Sequence, residues 1–127
     1  MTTPKQPIRV LIVDDQEPFR AALRMVVDLM DGFEIVGEAH DGESGLALAD
    51  ELAPDLVLMD VQMPGIDGLE ATRRLTANGS GIRVIVLSTH HAKEYGGPAL
   101  AAGAVAFISK SEFGPGSLAA LSGSWGD

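Results

Sequence analysis

Residues 56–68 read Leu-Val-Leu-Met-Asp-Val-Gln-Met-Pro-Gly-Ile-Asp-Gly, and the place of Asp60 in this run decides the fold. Four apolar residues, Leu56 to Met59, end on a carboxylate, and Pro64-Gly65 then turns the chain. A short run that is apolar throughout suits a strand covered on both faces, as in a parallel sheet. The same punctuation recurs along the chain. The run 8–13 ends on Asp14 and Asp15, the run 84–87 ends on Ser88, and the run 105–108 is followed by Lys110. Strand ends in a parallel sheet gather along one rim, so these five polar residues are expected to converge there. Three carboxylates, a hydroxyl and an ammonium suit a divalent cation together with a phosphoryl group.

Between these runs lie helix signals. Pro18 stands at a first helical position, with Phe19, Ala22, Leu23, Val26 and Met30 at helical spacing and Asp31-Gly32 as the stop. Residues 33–39 carry Glu34 and Glu38 on one face and read as a less buried edge strand. Residues 42–52 read as a helix candidate cut off before Pro54. Asp67 is placed as an N-cap with Glu70 in capping-box register, and Asn78-Gly79 ends that helix before a strand over 82–87. Gly96-Gly97-Pro98 then opposes a helix beginning near Ala92, because proline lacks an amide donor and glycine costs ~1 kcal/mol against alanine. At most a short helix over 98–102 is expected there, followed by a strand over 104–108 and a brief last helix over 115–121. Strand–helix alternation with short connections implies an α/β three-layer sandwich around a parallel sheet.

Composition narrows the function. The 127 residues suit one domain, and 46% hydrophobic against 21% charged content allows a packed core. With no cysteine, disulfides, thiolate metal sites and cysteine nucleophiles are excluded. Eighteen acidic residues against nine basic ones give a net charge of −9, which opposes direct nucleic-acid binding and favours cations. The longest mostly apolar stretch, 99–108, is far short of the ~20 residues needed to span a bilayer, and 1–7 lacks the apolar region of a secretion signal. No membrane partner is expected, and a cytoplasmic location is the default.

Asp14-Asp15, the run 58–68, Ser88 and Lys110, in this order and spacing, together resemble a two-component response regulator receiver domain. The phrases Arg9-Val10-Leu11-Ile12-Val13-Asp14-Asp15-Gln16 and Val36-Gly37-Glu38-Ala39 further resemble receivers of NarL/LuxR-type transcription regulators. The resemblance implies a flavodoxin-like five-stranded parallel sheet of order 2-1-3-4-5 over residues 8–121, with 1–7 and 122–127 as flexible termini. It implies Asp60 as phosphoacceptor, Mg²⁺ as cofactor, and a phospho-accepting switch instead of a turnover enzyme. Asp15 and Asp60 would bind Mg²⁺ directly with the backbone carbonyl of Gln62, and Asp14 largely through water. Ser88 and Lys110 would contact phosphoryl oxygens, and Phe107 would be the rotating aromatic switch. The implied partners are a sensor histidine kinase and a downstream protein or output domain, with a homodimer also allowed.

The residue chemistry agrees with each role. Mg²⁺ prefers oxygen ligands, and phosphoryl transfer depends mainly on positioning and charge neutralisation. The chain also departs from the family pattern. Ser88 stands where threonine is common, and Phe107 replaces a frequent tyrosine. Ser111 follows Lys110 where many receivers have proline, so the peptide bond there is expected trans.

Other readings stand beside this one. Asp14-Asp15 alone is more often a solvated turn, Lys110 alone a surface lysine, and Phe107 core-filling. His40, His90 and His91 lack partners at zinc spacing and read as surface residues. The competing functions are a small Mg²⁺-dependent aspartyl phosphatase and a phosphorylation-independent pseudo-receiver. Asp60-Val61-Gln62 lacks the Asp-x-Asp pattern of such phosphatases, and no insertion is long enough for a cap. The Gly/Ser-rich end, 122–127, reads as a finish and predicts a stand-alone receiver acting through the face around 95–102 and the last helix. The alternative is one half of a DNA-binding regulator.

Overall fold

The computed structural model describes residues 6–77, 79–89 and 92–122, and for Ala92, Lys93, Leu121 and Ser122 it describes only the backbone. Of the expected tails, 1–7 and 122–127, residues 1–5 and 123–127 lie outside the described residues, as do Asn78, His90 and His91, and Ser122 instead ends the last helix. Strands β1 (Ile8–Val13), β2 (Phe33–Ala39), β3 (Leu56–Asp60), β4 (Arg83–Ser88) and β5 (Ala106–Ser109) alternate with five helices. These are α1 (Glu17–Asp28), α2 (Gly42–Leu52), α3 (Gly68–Ala77), α4 (Ala92–Ala101) and α5 (Pro115–Ser122). Every strand pair is parallel, and the sheet order is β2-β1-β3-β4-β5.

Alternation along the central strands divides the core in two. Val10, Ile12, Leu56, Leu58, Ile85 and Leu87 face one way, onto Leu23 and Val27 of α1 and Leu118 of α5. Leu11, Val13, Val57, Met59, Val84 and Val86 face the other, onto Ala49, Ala71, Leu75 and Ala99 of α2, α3 and α4. Burying such side chains stabilises by roughly 1.5–3 kcal/mol each, and truncating Leu58 to alanine would cost about 2–5 kcal/mol. Strand β2 is at the sheet edge, as expected, but its register against β1 shifts between Val10 and Leu11. Glu34 thus pairs with Arg9 and Glu38 with Ile12, and the two fall on opposite faces instead of one. Glu38 meets Arg20 and Arg24 of α1 at 3.5 and 3.3 Å. Arg9, the polar interruption in β1, reaches across to the end of α2. Its Nη1 donates to the carbonyls of Leu52 and Ala53 at 2.6 and 2.8 Å, capping a helix end that leaves carbonyls unpaired.

Several expected boundaries move. Helix α4 is continuous over Ala92–Ala101 with Pro98 inside it, against the expected short helix over 98–102. Packing overrides propensity here: Ala99 and Ala102 are buried, Tyr95 presses on the core, and Ala102 N–H donates to the Pro98 carbonyl at 3.0 Å. Strand β5 starts at Ala106, not 104, because the Ala104 N–H still closes the helix end through the Ala99 carbonyl at 3.0 Å. Helix α1 begins at Glu17 with Pro18 second and stops at Asp28, before Met30. Ala22 is exposed, and Val27 takes the buried place expected of it. Asp67 does accept from Glu70 N–H at 2.8 Å, but the Glu70 carboxylate pairs with Arg73 and Arg74 instead of closing the capping box. Cis peptide bonds are absent among the described residues, so Lys110–Ser111 is trans as expected.

Candidate functional site

The carboxyl ends of β1, β3, β4 and β5 bring the predicted residues to one rim. Asp14 follows β1 and stays in the sheet, its N–H donating to the Ala39 carbonyl at 3.0 Å. Its side chain turns back into the chain: Oδ1 accepts from Gln16 N–H at 2.8 Å. Its carbonyl accepts from Arg20 Nη1 at 2.6 Å, and Arg20 is itself held by Glu17 at 2.9 Å. This fixes the β1–α1 loop so that Asp14 is buried and the next residue, Asp15, is exposed.

Asp60 closes β3 and is 5% exposed. The chain behind it is clamped, with Val61 N–H on the Leu87 carbonyl at 3.1 Å and Gly68 N–H on the Val61 carbonyl at 2.7 Å. Gly68 opens α3 against the Asp60 backbone so closely that a Cβ would lie 2.0 Å from the Asp60 carbonyl oxygen. Sequence reasoning assigned Gly68 no role. Its signal is a glycine inside the first turn of a helix, where it costs stability unless close approach demands it.

Ser88 ends β4, buried, and its carbonyl accepts the Lys110 N–H at 2.8 Å, which ties the β5 end to β4. The Lys110 side chain, 8% exposed, then enters the acidic cluster. Its Nζ is 2.8 Å from Asp14 Oδ2 and 3.3 Å from Asp60 Oδ1. One ligand oxygen from each of Asp14, Asp15 and Asp60 can be chosen so that all lie within 4.8 Å of one another. The other two predicted residues lie nearby. Gln62 is exposed in the β3–α3 loop, its Nε2 donating to Tyr95 Oη at 3.3 Å. Phe107 is half-buried and packs, with Tyr95, on the core between the sheet and α2, α3 and α4. His40 is exposed beside Asp41 and is not a member of the acidic cluster.

Electrostatics set the character of the rim. Burial, reinforced by the Asp14 charge, pushes the Asp60 carboxyl up from 3.8 to about 6, although Lys110 pulls the other way and Asp15 adds a smaller push. Asp14 Oδ2 is buried without a hydrogen-bond partner among the described residues. Lys110 Nζ sits 2.8 Å from it, outside hydrogen-bonding geometry, so the contact is Coulombic and a lone pair is left over. An acid-rich pocket with an orphaned oxygen fits a small hard cation, which takes oxygen ligands and keeps several waters. A cavity of ≈ 380 Å³ lined by Ala49, Pro54, Asp55, Arg74 and Ile82 lies at the opposite rim and includes none of these residues.

Comparison with known proteins points the same way. The sequence pattern of the family described as the response regulator receiver domain matches residues 10–121. The response regulator GacA of Pseudomonas viridiflava is 45% identical over 104 residues, which are 81% of this chain and 48% of GacA. The transcriptional regulatory protein LiaR of Bacillus subtilis is 40% identical over 103 residues, 81% of this chain and 49% of LiaR. The chain thus spans about half the length of these curated relatives. The solved signal receiver domain of the response regulator NarL from Mycobacterium tuberculosis superposes with a TM-score of 0.86 at 30% identity, covering 97% of this chain and 100% of that one.

Proposed function

The chain belongs to the response regulator receiver domain family, and on that premise we propose that Asp60 is its phosphoacceptor. One observation carries the assignment: Asp60 is the carboxylate that both ends a central strand and is shared by Lys110 and the acidic cluster. A bond forms between an Asp60 carboxylate oxygen and phosphorus. The bond from phosphorus to the donor's leaving atom breaks, and its electron pair departs with the donor. With its carboxyl near pH 6, Asp60 is mostly ionised at neutral pH and so competent to attack.

Mg²⁺ would be held by Asp15, Asp60 and the Gln62 carbonyl, with Asp14 acting largely through water. When bound it neutralises charge on the phosphoryl oxygens. The protein's own groups do the rest. Lys110 brings a second positive charge to the transferred group, and the Ser88 hydroxyl, at the neighbouring strand end, donates to another of its oxygens. A phosphoryl group on Asp60 adds charge and strong acceptors, and drawing Ser88 and Lys110 towards it shifts β4 and β5 and with them Phe107.

The donor in this reading is a sensor histidine kinase, and the output is a changed surface offered to a protein partner, an output domain or a second copy. Cytoplasmic location and the unit 8–121 as one receiver belong to the same proposal. Phosphatase turnover is not favoured by the family assignment, and the domain acts as a switch that takes up one phosphoryl group. Intact mass after incubation with Mg²⁺ and acetyl phosphate tests this. The parent should gain one phosphoryl group and Asp60→Asn none; an equal gain in both would sink the assignment.

A further inference from the structure

Lys110 must keep its ammonium inside a pocket whose anionic oxygens are wanted by another ligand. Its polar neighbours are Asp14 Oδ2 at 2.8 Å, Asp60 Oδ1 at 3.3 Å and, more weakly, Gln16 Oε1 at 3.4 Å. Two of these three belong to carboxylates that a divalent cation would engage. Once they are engaged, Lys110 loses anchorage and is repelled by the cation. A further contact has a different nature: Nζ lies over the ring of Phe19, 4.2 Å from its centroid. A ring face attracts an ammonium through its quadrupole yet is no ligand for a hard cation. It therefore remains available when the oxygens are taken.

We propose that Phe19 is a positioning residue for Lys110, holding the ammonium over Asp60 through its ring face while the carboxylates are occupied. The inference rests on the reading of Asp60 as phosphoacceptor. The ring is well placed to hold steady. Phe19 is in the first turn of α1, its N–H donates to the Gln16 carbonyl at 3.0 Å, and its half-buried side chain packs on the core shared with α5. Lysine has a long flexible stem, so a fixed face that selects one position for its head group raises the fraction of molecules ready for transfer. An aliphatic residue at position 19 would fill the same space but could not attract the charge.

Phe19→Leu and Phe19→Tyr, made in the full chain, separate this role from packing. In saturating Mg²⁺, the Lys110 ε-methylene protons of the parent and Phe19→Tyr should be shifted upfield by the ring current, and those of Phe19→Leu should not. Phosphorylation by acetyl phosphate, followed by intact mass, should be roughly threefold to tenfold slower in Phe19→Leu and near parental in Phe19→Tyr. The proposal is overturned if Phe19→Leu keeps either the parental rate or the parental Lys110 shifts, or if Phe19→Tyr is as slow as Phe19→Leu. If the parent itself gains no phosphoryl group, the Asp60 reading falls. The Lys110 shifts then decide alone whether Phe19 holds the ammonium.

Discussion

Replacing Asp60 by asparagine should make this domain more stable at neutral pH, although it removes a partner of Lys110. The reason is the cost of charging a buried carboxyl beside Asp14. In the folded chain the Asp60 carboxyl is raised from 3.8 to about 6, with burial the first cause and the Asp14 charge the second. A raised value means the fold prefers the neutral acid. That preference is fully present below pH 3.8 and is lost as pH rises through about 6. Each pH unit between the two values is worth at most about 1.4 kcal/mol, and solvent at the rim screens part of it, so ionised Asp60 costs the parent roughly 1–3 kcal/mol at pH 7. Asparagine keeps the shape of the neutral acid and never charges. Lys110 retains Asp14 at 2.8 Å and is not left unpaired. For a domain of this size, that corresponds to a rise in Tm of roughly 3–10 °C. Urea unfolding of both proteins at several pH values between 3.5 and 7.5, without divalent cations, measures the difference (roughly 1–3 kcal/mol per molar urea is the usual slope). The gap should be near zero at the acid end and open through pH 4–6. A gap of the same size at both ends, or a less stable variant at pH 7, would refute the argument that charge repulsion and burial govern Asp60.

Further outcomes follow from the same geometry. Mg²⁺ should raise the Tm of the parent by mass action, and Asp15→Asn should weaken that gain even though it lowers apo repulsion; equal gains would remove Asp15 from the ligand set. Gly68→Ala drives a methyl to within 2.0 Å of the Asp60 carbonyl, so a loss of about 1–3 kcal/mol in stability together with slower phosphorylation is expected from denaturation and mass measurements. Lys110→Ala should still bind Mg²⁺ but lose the phosphorylation-induced changes in amide spectra between Ser88 and Phe107, and unchanged spectra would break the proposed relay.

What the sequence made legible was set by how local each signal is. The strand ends were legible because each is written within a few residues, an apolar run closed by Asp14, Asp60 or Ser88. The parallel sheet then brings them together without further information. Helix α4 was misread for the converse reason. Gly96-Gly97-Pro98 is a strong local signal against a helix, and what outweighs it is the burial of Ala99 and Ala102, which depends on where β5 lies. The closeness of Phe19 to Lys110 is of the same non-local kind. That pair is far apart in sequence and meets only because β1 and β5 end on the same rim, whereas Gly68 meets Asp60 within the single β3–α3 connection. Local grammar therefore names the groups that could do chemistry, and packing selects the neighbours that tune them. Asp60 illustrates the division: its identity and rim position are readable from Leu56 to Pro64, but its carboxyl near pH 6 depends first on burial and then on Asp14, opposed by Lys110, and both of these reach it from the ends of other strands.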